Sequence, residues 1–224
     1  MKILYAIQGT GNGHLSRARD IIPALQKKCT VDILVSGIQA DVRLRYPVKY
    51  RLRGLSFIFG KKGGVDLWRT YSETNLKSLQ NEIRSLAVEN YDFVVNDFEP
   101  VSSWACKLKK VPCISLSHQS SLLSNKVPKP KKKDIIGSII LKHYAPADFH
   151  FGFHFCNYDS QIYTPVIRKE VRELEVDDYG YYTVYLPSYD DAKLLNILSQ
   201  FKNTRWQVFS KHNIRSFRKD NVMI

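Results

Sequence analysis

The 224-residue chain is 44% hydrophobic, 25% charged and 12% aromatic, a composition that supports a folded core and excludes wholesale disorder. No apolar run reaches the ~18–20 residues of a membrane helix, and the stretch Ile3 to Ile7 is shorter than a signal peptide's ~7–15-residue apolar region. A cytoplasmic location is therefore expected. Thirty-four basic against 21 acidic residues give a net charge of +13, with 24 of the basic and 13 of the acidic residues in the first 160 positions. Two clusters carry much of the excess: Arg43, Arg45, Lys49, Arg51 and Arg53, then Lys126, Lys129, Lys131, Lys132 and Lys133. Such clusters attract phosphates, anionic lipid headgroups or acidic substrates, or they simply solvate a face. No RRM, zinc-finger or KH signature accompanies them, so nucleic acid is the less expected partner. The cysteines (Cys29, Cys106, Cys113, Cys156) form no CxxC pair and are expected to be small, unpaired core residues.

In chain order, the apolar run from Lys2 to Ile7 reads as a buried strand that opens into a glycine loop, Gly9-Thr10-Gly11-Asn12-Gly13-His14. Leu15, Ala18, Ile22 and Leu25 recur at helical spacing and predict a helix to about Lys28 despite Pro23. Val31 to Ser36 is a second buried strand. Strand, glycine loop, helix and strand together form a βαβ unit, which implies a parallel sheet. Leu55 to Phe59 is β-rich and leads into the flexible Gly60 to Gly64. Asn75 to Glu89 is helical, Tyr91 to Asn96 a strand, Val101 to Leu108 a helix and Pro112 to Ser117 a strand, with a Lys- and Pro-rich loop over 124–134. The alternation predicts a doubly wound, Rossmann-like parallel sheet. Thr164 to Arg168 is linker-like. Tyr181 to Pro187, Asp190 to Phe201 and Arg205 to Ser210 then read as the first βαβ of a second domain, dividing the chain into residues 1–162 and 163–224. Roughly 60 residues cannot complete such a domain.

The glycine loop lies between a strand and a helix N-terminus, where close backbone approach and free N–H groups favour an anion, although a tight turn alone would also use glycines. It does not fit a dinucleotide fingerprint, because His14 takes the sixth position and Ser36-Gly37 stands where the acidic ribose contact should be. No GxxxxGK[ST] motif is present, which excludes a P-loop. His14, at the carboxyl end of the first strand, suits proton abstraction from a hydroxyl. Asp97, ending another strand at the same rim, could orient it and stabilise the imidazolium, or could instead cap the next helix. Glu99, His118 and Gln119 also reach this rim as candidate acceptor contacts. His150 and His154 share a strand face without a carboxylate partner, and no metal site is expected.

These residues resemble nucleotide-sugar glycosyltransferases of the GT-B fold. The opening from Ile3 to Arg17 is similar to the first strand and loop of the lipid II-forming branch, and more closely to a bacterial and archaeal group of related transferases. Gly63-Gly64 with Arg69-Thr70, Asn96 to Pro100, His118-Gln119 and Pro165 to Arg168 resemble that group's blocks in the same order. The resemblance implies a cleft between two Rossmann-like domains, an N-terminal acceptor side and a C-terminal nucleotide-sugar side, with UDP the expected nucleotide and no cofactor. It implies His14 as base on an acceptor hydroxyl. It also implies Gly11, Asn12 and Gly13 near the donor diphosphate, with Ser188 in a second phosphate loop that lacks the usual glycines. A lipid-linked acceptor and a peripheral seat on the inner face of the plasma membrane are further expectations. The incomplete second domain makes the chain look C-terminally truncated. The alternative reading is a non-catalytic binding module, or an inactive remnant, that holds an anionic lipid surface.

Overall fold

In a computed structural model, residues 1–37, 44–55, 75–131, 134–187 and 189–224 are described. They fall into two compact units, the first running through Glu173 and the second from Leu174 to Ile224. The sequence reading divides the chain earlier, between 162 and 163.

The first unit is built on strand β1 (Lys2–Gln8), whose six residues after Lys2 are all buried. Ile3, Tyr5 and Ile7 enter one apolar cluster, while Leu4 and Ala6 enter another. A period of two with both faces apolar means that layers cover the strand on each side, as in a central parallel strand. β1 pairs in parallel with β2 (Thr30–Ser36) on one edge and with β4 (Phe93–Asp97) on the other. With β3 (Tyr50–Leu52), β5 (Cys113–Ser117), β6 (Phe149–Phe153) and β7 (Ile162–Tyr163), the described residues form a seven-stranded sheet, all parallel, in the order β3-β2-β1-β4-β5-β6-β7. This is a doubly wound α/β sheet whose order reverses between β1 and β4, the point where such sheets open a crevice at their carboxyl ends.

Helix α1 (Asn12–Gln26) lays Leu15, Ala18, Ile21 and Ile22 against one face. Pro23 has no N–H for the Arg19 carbonyl, and the hydroxyl of Tyr46 donates to that carbonyl at 3.5 Å instead. Helix α2 (Leu76–Ser85) is capped by Asn75, whose side chain accepts from the amide of Ser78 at 3.0 Å. It ends before Glu89, and a turn of 3-10 helix (Val88–Asn90) follows where the sequence suggested one continuous helix. Helix α3 (Pro100–Lys109) buries Val101, Ala105 and Cys106 on the opposite face. The short helix α4 (His118–Ser121) leaves β5 directly. Helix α5 (Ile135–His143) and the single turn α6 (Lys169–Arg172) complete the unit. Cys106 and Cys113 are core residues and Cys29 is half-buried, but Cys156 is exposed, which corrects its expected core role.

In the second unit, β8 (Tyr182–Val184), α7 (Asp191–Leu198) and β9 (Trp206–Val208) form the expected βαβ. Two further strands, β10 (Arg218–Lys219) and β11 (Val222–Met223), extend it in the order β10-β11-β9-β8. β11 runs parallel to β9 and buries Val222, which joins Leu194, Leu198, Val208 and Ile224 in a small core.

Candidate active site

The polar cluster sits at the carboxyl ends of β1 and β4. Ile7 pairs with Asp97 in register, so the loop after β1 and the turn after β4 leave the sheet side by side. Gly9 is required there: its amide donates to the Ser36 carbonyl at 2.6 Å, and a Cβ would lie 2.8 Å from the same oxygen. Gly11 and Gly13 differ, since a Cβ on either would meet nothing within 4 Å. Gly11 is the N-cap of α1 and supplies no side-chain cap, so the first turn of α1 has backbone N–H groups without that partner.

The turn after β4 is Asp97-Phe98-Glu99. Phe98 has a left-handed φ of 56°, a conformation that costs about 1–3 kcal/mol in a non-glycine residue. Asn96 holds the turn by accepting from the Glu99 amide at 3.0 Å and donating to the Glu99 carbonyl at 2.6 Å. The reversal separates two carboxylates. Glu99 turns under α3, accepts from the amides of Val101 (2.8 Å) and Ser102 (2.7 Å) and from the Ser36 hydroxyl (2.7 Å), and is fully buried. It is the N-cap of α3, and its enclosure removes it from the acceptor contacts suggested by sequence. Burial, outweighing those hydrogen bonds, lifts its carboxyl above the ordinary range.

Asp97 meets α1. His14 Nδ1 lies 2.8 Å from Asp97 Oδ1; in the tautomer protonated at Nδ1 it donates to that carboxylate and Nε2 carries the lone pair. Arg17, one turn on from His14, donates from Nε to Oδ2 at 2.8 Å and from Nη2 to Oδ1 at 2.5 Å, a bidentate grip. The same Nη2 lies 2.7 Å from His14 Nδ1. Asp97 is completely buried and Arg17 nearly so. Burial alone would raise the Asp97 carboxyl, but adjacent His14 and Arg17 hold it below the usual carboxylate range. Arg17 shows the converse balance: burial pulls it down, and Asp97 more than restores it.

His118 donates from Nδ1 to the Phe153 carbonyl at 3.1 Å, which leaves its own Nε2 as an acceptor. It is within electrostatic reach of Arg17, Asp97 and His14, and burial followed by the Arg17 charge lowers its proton affinity. The Oε1 of Gln119 is buried and, among the described residues, has no hydrogen-bond partner. The structure therefore brings together His14, Asp97 and His118. Ser188, Arg43, Lys132, Lys133, Gly63-Gly64, Arg69-Thr70 and the stretch 56–64 lie outside the described residues. Among the described residues, no group of three or more His, Cys, Asp or Glu is arranged to hold a metal ion. A groove of about 650 Å³ lined by Lys107, Lys110, Pro112 and Phe149 opens at the amino ends of β5 and β6, the opposite edge from this cluster.

Residues 1–222 match the family described as Glycosyl transferase family 1. The chain belongs to that family. Among solved structures, it is similar to MurG of Acinetobacter baumannii, with 15% identity over 94% of this chain and 58% of that one, at a TM-score of 0.46. It is also similar to the glycosyltransferase SnogD of Streptomyces nogalater, with 12% identity over 99% and 70% of the two chains at 0.44. A third is the Streptomyces sp. SF2575 glycosyltransferase SsfS6, solved with thymidine diphosphate, with 12% identity over 94% and 68% at 0.46. The chain thus spans 58% of the MurG length. No curated protein matches it. The sequence singled out His14 and Asp97, which the structure places side by side, but not Arg17, although a separation of three residues places His14 and Arg17 on one face of a helix. It also missed Gln8, whose amide donates to Thr10 (2.5 Å), to the Tyr144 hydroxyl (3.0 Å) and to the Leu55 carbonyl (3.1 Å), fixing the start of the loop.

Proposed function

We propose that the chain supplies the catalytic base and the acceptor side of a transferase that moves a sugar from a nucleotide-sugar to a hydroxyl acceptor. The observation that carries this reading is the His14–Asp97 pair, 2.8 Å apart at the reversal between β1 and β4; with its proton on Nδ1 facing the buried carboxylate, the imidazole offers Nε2 to accept another. The acceptor oxygen loses its proton to Nε2 as it bonds to the anomeric carbon, and the bond to the nucleoside diphosphate breaks. Asp97 stabilises the imidazolium so formed. A base with no nucleophile beside it fits a single in-line displacement with inversion. Gly11, Asn12 and Gly13, at the first turn of α1, are assigned to the departing diphosphate, because the two glycines have open space around them and no packing reason to lack a side chain. Ser188 is kept as a second donor contact on the resemblance alone. His118 and Gln119, each with an acceptor atom to offer, are assigned to the acceptor alcohol. Residues 1–162 are read as the acceptor-side domain and 163–224 as the start of the donor-side domain, with a UDP-linked sugar as co-substrate.

A second observation favours an anionic lipid surface as partner, and with it a lipid-linked acceptor. None of the residues of α5 is buried, and Ile135, Ile136 and Ile139 are 73%, 54% and 55% exposed. Exposed Lys129 and Lys131 precede the helix, and Lys142 lies in its last turn. Apolar side chains flanked by cations suit the boundary between acyl chains and anionic headgroups. The first basic cluster contributes less than its composition suggests, because Lys49 is engaged by Asp32 at 2.6 Å, leaving Arg45, Arg51 and Arg53 exposed.

The test is transfer of labelled sugar from a panel of nucleotide-sugars into a membrane lipid extract. His14→Ala is expected to lower turnover by about 10²–10⁴-fold with its fold intact. Undiminished turnover removes His14 from the mechanism.

A further inference from the structure

The second unit carries a cluster of arginine and aromatic side chains for which sugar transfer has no use. Helix α7 packs on the sheet face that presents Val184, Val208 and Val222. Side chains alternate along a strand, so Gln207 and Met223, which pair in register, stand on the opposite face. Arg218 lies directly across the β10–β11 ladder from Met223 and stands there too. Tyr181 and Arg205, two residues before Thr183 and Gln207, continue that face. Together with Trp206 and Asn221, these side chains line a pocket of about 250 Å³ at the amino ends of β8, β9 and β11. Doubly wound sheets open their ligand crevice at the carboxyl ends, so this pocket is distinct from the phosphate loop expected after β8.

Arg205 is held in place by neutral groups. Its Nε donates to the Gly180 carbonyl at 3.0 Å and its Nη2 to the Tyr179 carbonyl at 2.5 Å. Gly180 admits the guanidinium: its φ is 65°, and a Cβ there would lie 2.8 Å from Nη2. These bonds use two of the five N–H groups and leave three to donate. Among the described residues, neither Arg205 nor Arg218 forms an ion pair. The acids nearest in sequence are engaged locally, Asp177 accepting from the Asp178 amide at 2.8 Å and Asp178 from the Gly180 amide at 2.7 Å, while Asp220 stands in the β10–β11 turn. The Tyr181 ring is partly exposed and stacks on Tyr179, 6.1 Å between centroids and 16° from parallel. Asn221 fixes the wall between β9 and β11 by donating to the carbonyls of Phe201 (2.8 Å) and Thr204 (2.6 Å).

We propose that this pocket binds a small phosphate monoester that carries a ring, with the phosphate between Arg205 and Arg218 and the ring against Tyr181 and Met223. Two guanidinium charges with no carboxylate paired to them match a dianion, and a phosphate monoester carries about −1.5 to −2 at neutral pH on oxygens that suit the arginine fork. Volume sets the size. Sites that enclose drug-sized ligands run to about 300–1,000 Å³, so about 250 Å³ suits one ring and one phosphate, not a nucleotide-sugar. The inference stands on the second unit alone and does not need the transferase reading.

The test is ¹H–¹⁵N NMR of the full chain, followed at the indole N–H of Trp206, which is assigned by the signal lost in Trp206→Phe. Phenyl phosphate and glucose 6-phosphate are titrated in parallel, and the tighter of the two tells an aromatic ring from a sugar ring. A saturating shift is expected, at an affinity at least about tenfold above that for inorganic phosphate, which has no ring to place. Arg218→Gln removes an exposed side chain, so it should keep the fold, and it should weaken the bound ester by about tenfold or more through loss of a charge-assisted pair. Tyr181→Ala should weaken the ester but leave inorganic phosphate unchanged. No saturation by either ester at about 10 mM overturns the proposal. So does equal affinity in folded Arg218→Gln, or an ester bound no more tightly than inorganic phosphate.

Discussion

Asp97 shows how one residue ties stability to the proposed chemistry. Its carboxylate has no exposed surface, and the fold tolerates the charge only because Arg17 and His14 satisfy it. Its folded-state proton affinity is below that of an unfolded aspartate, so its contribution is fully present above about pH 3.9 and is lost as pH falls from there through the folded value. Asp97→Asn is expected to cost about 3–5 kcal/mol at neutral pH by orphaning the buried Arg17 charge. That gap should narrow on acidification. Urea midpoints of both proteins from pH 7 to pH 3 check this, and a gap that stays constant contradicts the pairing. Glu99 has the opposite sign: with its affinity raised by burial, its ionisation works against the fold as pH rises. In sequence Asp97 is preferred to Glu99 as the partner of His14 because it directly follows the apolar strand, but the capping role is offered to Asp97 and not to Glu99, which holds it. What separates them is the left-handed φ of Phe98, and no residue type announces that conformation in a phenylalanine. Arg17 was hidden differently, as one of many cations in a basic chain.

The glycines of the first loop divide by what surrounds them, and this gives the element its prediction. Gly9→Ala forces a Cβ to 2.8 Å from the Ser36 carbonyl oxygen and 2.9 Å from Val35, and should destabilise by about 1–3 kcal/mol. Gly13, inside α1 with open space, should gain about 0.4–1 kcal/mol as alanine by restricting the unfolded chain. If the diphosphate approaches this turn, Gly13→Ala is more stable yet raises KM for the nucleotide-sugar. Thermal midpoints and kinetics on the same preparation separate the two effects, and an unchanged KM detaches the loop from the donor. The sheet itself was largely legible, because strands such as β1 and β2 are apolar runs that only a doubly covered sheet accommodates. Helix α5 was missed: Gly137 and Ser138 interrupt its short apolar run, and none of its residues is buried to mark a core-facing stripe. β10 and β11 escaped because two-residue strands show no alternation. Their turn at Asp220, with a left-handed φ of 53°, was the available signal.

At the scale of the whole molecule, the net charge of +13 and the exposed isoleucines of α5 lead to one prediction. The protein should sediment with anionic vesicles, less so as salt rises from about 50 to 500 mM. Replacing Ile135, Ile136 and Ile139 by serine should weaken that binding without loss of stability, since none of the three is buried. Equal binding to uncharged vesicles at every salt concentration argues against the surface. Among the described residues, no helix is long and apolar enough to cross a membrane. Family membership covers residues 1–222, whereas the proposed chemistry rests on the pair His14 and Asp97 at one point of the sheet. The most direct measurement is therefore the initial rate of sugar transfer at saturating nucleotide-sugar for wild type, His14→Ala and Asp97→Asn side by side. Both variants are predicted to lose most of the rate while still binding the nucleotide, with His14→Ala the more severe. Transfer at the wild-type rate by folded His14→Ala would contradict the assignment of the base.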